Sequence, residues 1–265
     1  MNIDYPNQEQ TDALRALWQE AFGDDDAFLD RFYSYGFAPD RCRCVTVDGE
    51  LAAALYWFDC LYQGQPLAYL YGVATAKRHR GKGLCRALAE NAHQHLKYLG
   101  YAGAILVPAH EKLSQMYEKM GYRPCTSVSE FVCEAGTEPA IMRQVDAEQF
   151  RLLRRQFLPE DGVVQEGDSL EFLQTMTDFY AGEDFLVCVS REEEFFAPEL
   201  LGNAQAAPGI LAALRKNQGH FRGPGAGKPF AMYLSLSDCP APGYFGLAFD
   251  LFFVFFSCIL KTTDI

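Results

Sequence analysis

The 265-residue chain is expected to fold as a mixed α/β protein in two units, 1–134 and 140–265. Three observations predict this. Segments with apolar residues at three- and four-residue spacing alternate with short apolar runs bounded by turn residues, the respective marks of helices and strands. The length suits two units of about 100–150 residues better than one. Gly136 and Pro139 interrupt the pattern between the halves. A hydrophobic fraction of 49% with 22% charged residues is a globular composition and excludes disorder.

In the first half, Leu14, Leu17, Trp18, Ala21 and Phe22 form a helical stripe. Asp24 to Asp26 punctuate it, and Phe28, Leu29, Phe32 and Tyr33 suggest a second short helix. Residues 42–47 and 51–56, joined by Asp48-Gly49, read as a β-hairpin, because Asp-Gly suits a turn with positive φ. Residues 67–74 are a third strand. Residues 84–99 are a helix: Leu84, Leu88, Ala92, Leu96 and Leu99 share an arc, and Gly100 stops it. His95 falls in that arc, as a core histidine would. A strand at 101–107 follows, then a short helix carrying Leu113, Met116, Tyr117 and Met120. Residues 122–133 return to extended structure.

Beyond the boundary, residues 150–157, 170–180 and 206–216 read as helices. Residues 185–189, 230–236 and 244–249 read as strands. The apolar run 251–260 is about half of what a spanning helix needs and reads as a buried strand, so no membrane segment is expected. The order of elements loosely repeats the first half.

The net charge is −12, from 23 Lys+Arg against 35 Asp+Glu, which argues against a nucleic-acid partner. Residues 1–134 carry −4 and the remainder −8. Nine cysteines form no framework spacing and the opening residues do not read as a secretory signal, so a cytoplasmic protein with reduced thiols is expected. No metal site is expected: Cys42 and Cys44 have no second pair at metal spacing.

Against this acidic background, Lys77, Arg78, Arg80, Lys82 and Arg86 fall within ten residues, at a strand-to-helix junction containing Gly81 and Gly83. Two glycines permit close backbone approach, and free N–H groups at a helix start favour an anion. The string YLYGVATAKRHRGKGLCRALAE resembles the acetyl-CoA-binding segment of the GNAT superfamily of N-acetyltransferases, with Arg78, Gly81 and Gly83 at its signature positions. MYEKMGY resembles that family's tyrosine segment. The resemblance covers about residues 1–133. It implies the acyl-CoA N-acyltransferase fold, a mixed and mostly antiparallel sheet flanked by helices. It also implies an acetyl-CoA site at Val73, Ala74, Arg78, Arg80, Gly81, Lys82, Gly83 and Leu84, and Tyr117 as general acid. The implied acceptor is a primary amine on a small molecule or peptide. Tandem members with one degenerate half exist in the superfamily, which would account for residues 140–265.

Transfer to an amine needs a proton acceptor and a stabilised thiolate. A tyrosine pKa near 10 exceeds a thiol's 8.5 or so, so Tyr117 is expected to donate a hydrogen bond with late transfer. Family members often place Glu on the strand before the phosphate turn, but here that strand reads Tyr69-Leu70-Tyr71-Gly72. Asp59, His110 and Glu111 remain as candidate bases, alongside a water chain. Two alternatives stay open: a non-catalytic acyl-CoA-binding protein, and a tandem acyl- or aminoacyl-transferase. Residues 223–228 (GPGAGK) lack the spacing and the hydroxyl residue of a P-loop and read as a turn.

Overall fold

The computed structural model describes residues 1–247. The first unit opens with β1 (Asn2–Asp4) and α1 (Thr11–Phe22), whose Leu14, Leu17 and Trp18 are buried. Gly23, at φ 80°, closes α1 by donating its N–H to the Gln19 carbonyl. Asp25 caps α2 (Asp26–Arg31) by accepting the Phe28 N–H at 2.8 Å. A π-helical turn (Phe32–Gly36) follows, then β2 (Cys42–Val47), β3 (Glu50–Tyr62) and β4 (Gln65–Thr75). The β2–β3 hairpin turns where expected, with Asp48 and Gly49 at φ 51° and 85°. The unit continues through α3 (Leu84–Tyr98), β5 (Gly103–Leu106), α4 (Glu111–Glu118), β6 (Arg123–Pro124) and β7 (Ser127–Glu134).

The second unit runs β8 (Arg143–Val145), α5 (Ala147–Phe157), β9 (Val164–Gln165), α6 (Asp168–Gln174), β10 (Thr177–Ala181) and β11 (Phe185–Ser190). It then runs β12 (Phe196–Ala197), β13 (Glu199–Gly202), α7 (Ala207–Ala213), β14 (Gln218–Pro224), β15 (Lys228–Pro229) and β16 (Met232–Ser235).

The first sheet has the order β1-β2-β3-β4-β5-β16-β6, with β9 on β3. It is antiparallel except where β4 meets β5. The others have the orders β13-β11-β10-β8 and β12-β14-β7-β15. With the two-residue strands β9 and β12 set aside, the order strand, two helices, three strands, helix, strand recurs: β1 α1 α2 β2 β3 β4 α3 β5, then β8 α5 α6 β10 β11 β13 α7 β14. The units also exchange strands. β7 leaves the first unit to pair with β14, while β16 returns from the second to lie between β5 and β6. The sheets thus change ownership at 125–126 and again near 230, not at the loop 135–139. Tyr233 of β16 occupies the space beside Gly103 of β5 that a side chain there would need.

One aromatic-rich core lies against one face of the first sheet and continues into the second unit, joining Trp18, Phe32, Phe58 and Tyr71 to Phe172 and Phe179. The opposite face carries Leu55, Trp57, Leu70, Leu88, Leu96 and Tyr117 beneath α3 and α4.

Several elements differ from expectation. The helix expected over 170–180 ends at Gln174, and Thr177, Phe179 and Ala181 alternate inward as a strand. Phe179 stacks on Phe150 at 4.1 Å, so tertiary burial overrides a three-residue spacing that also fits a helix. The extended stretch 122–133 is split into β6 and β7 in separate sheets. On α3 it is His93, not His95, that is buried; its Nε2 lies 2.8 Å from the Tyr122 hydroxyl. Burial lowers its pKa to about 4. Tyr244 makes one parallel bridge with Gly162, but residues 245–247 form no strand, and the last two residues of the strand expected at 244–249 lie outside the described residues. The apolar run 251–260 lies wholly outside them.

Candidate functional site

β4 is the element that builds the site. It pairs with β5 only from Leu67 to Tyr69, then continues alone on that side to Thr75. The sheet therefore opens into a slot bounded by the C-terminal ends of β4 and β5. On its other side β4 bulges against β3, where Leu55 opposes both Gly72 and Val73. Gly72 has φ 57°, and a β-carbon there would lie 2.5 Å from the Trp18 ring. The bulge is thus fixed by α1 pressing an indole onto bare backbone.

After β4 the chain makes one short turn (Lys77–His79) and reaches α3. Gly81 and Gly83 adopt φ 72° and 78°, and their missing side chains would point into open space. These glycines are required by conformation and leave the approach clear. From Gly81 to Arg86 the backbone N–H groups find no acceptor among the described residues; the first helical bond is Ala87 N–H to Gly83 O. Six donors at the positive end of a 15-residue helix make a cradle for an anion. Lys82 and Arg86 are exposed and without acidic partners among the described residues, whereas Arg78 is paired with Glu50 at 2.8 Å. Arg80 instead braces the turn, donating from Nε to the Thr75 carbonyl at 3.1 Å.

Val73, Leu84 and Tyr117 belong to the same apolar layer beneath α3 and α4, while Ala74 faces the opposite core. Tyr117 is 7% exposed and meets Tyr122 edge-on at 5.5 Å. Burial, with Cys85 in the first turn of α3 adding to it, holds its hydroxyl well above the ordinary tyrosine pKa. It therefore stays a neutral O–H donor. The slot is open along a strand, the helix start beyond it carries an anion cradle, and a buried tyrosine lies in the apolar layer on one face of the sheet. Those are the requirements of an extended, phosphate-bearing thioester.

The sequence profile described as an acetyltransferase (GNAT) domain matches residues 2–125. That first stretch of the chain thus matches a GNAT acetyltransferase domain. No curated protein matches it significantly. Among solved structures it resembles a GCN5-related N-acetyltransferase from Kribbella flavida, at 18% identity and TM-score 0.67, over 89% of this chain and 72% of that one. A GCN5-related N-acetyltransferase from Anabaena variabilis aligns at 14% identity and TM-score 0.68, over 90% and 73%. Eis1 from Mycobacterium abscessus aligns at 12% and 0.66, over 89% and 74%. These neighbours share the fold of both units, an acyl-CoA N-acyltransferase architecture. No described helix is long and apolar enough to cross a membrane.

The candidate bases divide by position. Asp59 opposes Ala68, seven residues or about 23 Å of strand before Thr75. It is held by Arg41 at 3.2 Å and by the Tyr101 hydroxyl, at the wrong end of the slot. His110 and Glu111 start α4 just beyond β5, at the right end, but both are exposed. The GNAT domain's α1 was legible in the sequence only as packing. Its Trp18 nevertheless sets the bulge, and its Glu20 accepts the N–H of Lys77 at the start of the phosphate turn.

Proposed function

We propose that this protein is an acetyl-CoA-dependent N-acetyltransferase acting by direct transfer to a primary amine of a small molecule or peptide, in a cytoplasmic setting. Val73 and Ala74 would line the acyl arm, with Leu84 beneath it. The amides from Gly81 onward would hold the pyrophosphate, together with Lys82. Arg78 and Arg80 would shape the turn around it. Tyr117 would donate a hydrogen bond to the departing thiolate. The observation that supports this most directly is the run of backbone donors from Gly81 to Arg86 without protein acceptors at the start of α3, which follows the open end of β4. The raised Tyr117 pKa makes complete proton transfer to sulfur uphill, so its contribution is hydrogen bonding to charge, about 1.5–3 kcal/mol. On this reading residues 1–134 supply the cofactor site. Residues 140–265 supply a degenerate partner, together with the strand that completes the catalytic sheet.

The test is thiol release from acetyl-CoA across a panel of primary amines, comparing wild type with Tyr117→Phe. The variant is expected to bind acetyl-CoA normally and to lose about 10- to 100-fold in kcat. Full activity in Tyr117→Phe would reduce Tyr117 to a packing residue. Acetyl-CoA binding without turnover of any amine would favour the binding-protein alternative.

A further inference from the structure

The strand that would carry a catalytic carboxylate has none, and Asp59 lies at the wrong end of it. The nearest carboxylate on the other side of the sheet is reached through Trp18. α1 is fixed to the exit of β4 at two points, the Trp18 ring on Gly72 and the Glu20 carboxylate on the Lys77 N–H. The turn between α1 and α2 therefore stands beside the end of β4 that has parted from β5. Within it, Gly23 reverses the chain and three aspartates follow. Two of them serve the fold: Asp25 caps α2, and Asp26 accepts from Gln19 Nε2 at 2.8 Å. The third, Asp24, accepts the Trp18 indole N–H at Oδ2, 2.7 Å away, and its Oδ1 has no partner among the described residues. One indole ring separates this carboxylate from the β4 bulge.

We propose that Asp24 receives the acceptor amine, docking its positive charge and taking the proton released as the amide bond forms. The inference rests on the acetyltransferase reading above and deepens it, because it specifies a cationic primary amine. The sheet supplies the geometry. Tyr117 belongs to the core beneath α3 and α4, whereas Trp18 belongs to the core beneath α1 and α2. Acid and base would then address the thioester from opposite faces. The docked ammonium first passes one proton to Asp24, which relays it to solvent; the freed nitrogen lone pair then bonds to the thioester carbonyl carbon, and the second proton passes to Asp24. The C–S bond breaks with its electron pair on sulfur, which accepts the Tyr117 hydrogen bond and is protonated from solvent. Asp24 returns its proton to solvent, leaving amide and free thiol.

The surroundings suit a proton acceptor. The charged groups around the turn are Asp25 beside it, Arg15 and Glu20 on α1, Asp26 and Asp30 on α2, and Lys77 at the exit of β4. Arg15 is taken by Asp30 at 2.7 Å and lies 3.7 Å from Asp26, so Asp24 has no resident cation. Burial raises the Asp24 pKa, the indole hydrogen bond opposes this, and the charge of Asp25 adds to it. A carboxylate so placed both attracts an ammonium group and accepts a proton more readily than one in water.

The test compares full-length wild type, Asp24→Asn and Asp24→Glu. It measures thiol release with spermidine and lysine methyl ester between pH 6 and 9.5, and acetyl-CoA affinity by calorimetry. Asn still accepts the indole N–H, so the fold is expected to hold, as an unchanged unfolding midpoint would record. Asp24→Asn should lose at least 100-fold in kcat/KM at pH 7, with acetyl-CoA affinity unchanged. Its residual rate should climb about tenfold per pH unit, because only free amine reacts, while the wild type and Asp24→Glu stay flat below the amine pKa. An Asn variant within threefold of wild type and equally flat overturns the role of Asp24 and leaves the acetyltransferase reading intact. A wild type that releases no thiol with any amine overturns both.

Discussion

Two strand-to-helix turns occupy corresponding places in the two units, one between β4 and α3 and one between β13 and α7. The first leaves its donors from Gly81 to Arg86 without protein acceptors and its glycines facing open space. The second consumes its own. The Asp184 carbonyl accepts the Asn203 N–H at 2.9 Å and lies where a Gly202 side chain would be. The Asn203 side chain donates to Asp184 and accepts from Gln205 N–H at 2.9 Å. Pro208, the second residue of α7, brings no donor of its own. Both turns use a left-handed glycine, so the glycine alone does not mark a ligand site. In the first it clears space for something outside the chain; in the second it makes room for the chain itself.

The second unit also closes its charges inward. Arg154 and Glu199 are buried together, with side chains 2% and 1% exposed, and pair through Nε at 2.7 Å and Nη2 at 2.9 Å. The Tyr244 hydroxyl donates to the same carboxylate at 3.0 Å. Glu199 opens β13, which leads into the self-satisfied turn, so the pair anchors the strand that sets that turn. Glu199→Gln leaves a buried guanidinium without its counter-charge and is expected to cost about 3–5 kcal/mol in urea unfolding, the largest effect predicted here. A loss below about 1 kcal/mol would mean that the second unit is not held from within.

Much of this architecture was legible in the sequence, and what was not has a physical reason. The strand-to-helix turn before α3 was readable because its requirements are local: two glycines, clustered cations and a helix start within ten residues. The Asp48-Gly49 hairpin was readable for the same reason. The strand exchange was not, since β7 and β16 look like ordinary strands and only long-range pairing assigns them to opposite sheets. Phe179 was misread because a stripe at three-residue spacing serves a helix or, stacked on Phe150, a strand. Trp18 and Asp24 were legible only as a core residue and a helix stop. Their importance comes from Gly72, 54 residues beyond Trp18, whose bulge no local pattern announces.

Substitution at the two glycines breaks the comparison most directly. Gly83→Val puts a β-branched residue at φ 78° and crowds the amides around it, with no neighbouring atom to collide with. Acetyl-CoA binding is expected to weaken at least 100-fold by calorimetry, with a fall in unfolding midpoint limited to the backbone strain of about 1–3 kcal/mol. Gly202→Val collides with the Asp184 carbonyl and the Phe157 ring, so it should lower the midpoint by several degrees and leave the affinity of the surviving folded protein unchanged. If both variants affect only stability, the first turn is as self-contained as the second.

The smallest predicted effect separates the cations of the first turn. Lys82 is exposed and has no acidic partner among the described residues, while Arg78 already holds Glu50 across to the β2–β3 hairpin. A free exposed charge near a pyrophosphate is worth about a three- to tenfold change in affinity at low salt. Lys82→Ala should therefore weaken acetyl-CoA binding by that factor at 20 mM salt, shrinking toward twofold at about 0.5 M as screening shortens the interaction. Arg78→Ala should change it less, because a ligand must first compete with Glu50 for the guanidinium. Equal losses would show that the Arg78–Glu50 pair opens when the phosphates arrive. The β2–β3 hairpin would then belong to the cofactor site, a coupling for which the second unit has no counterpart among the described residues.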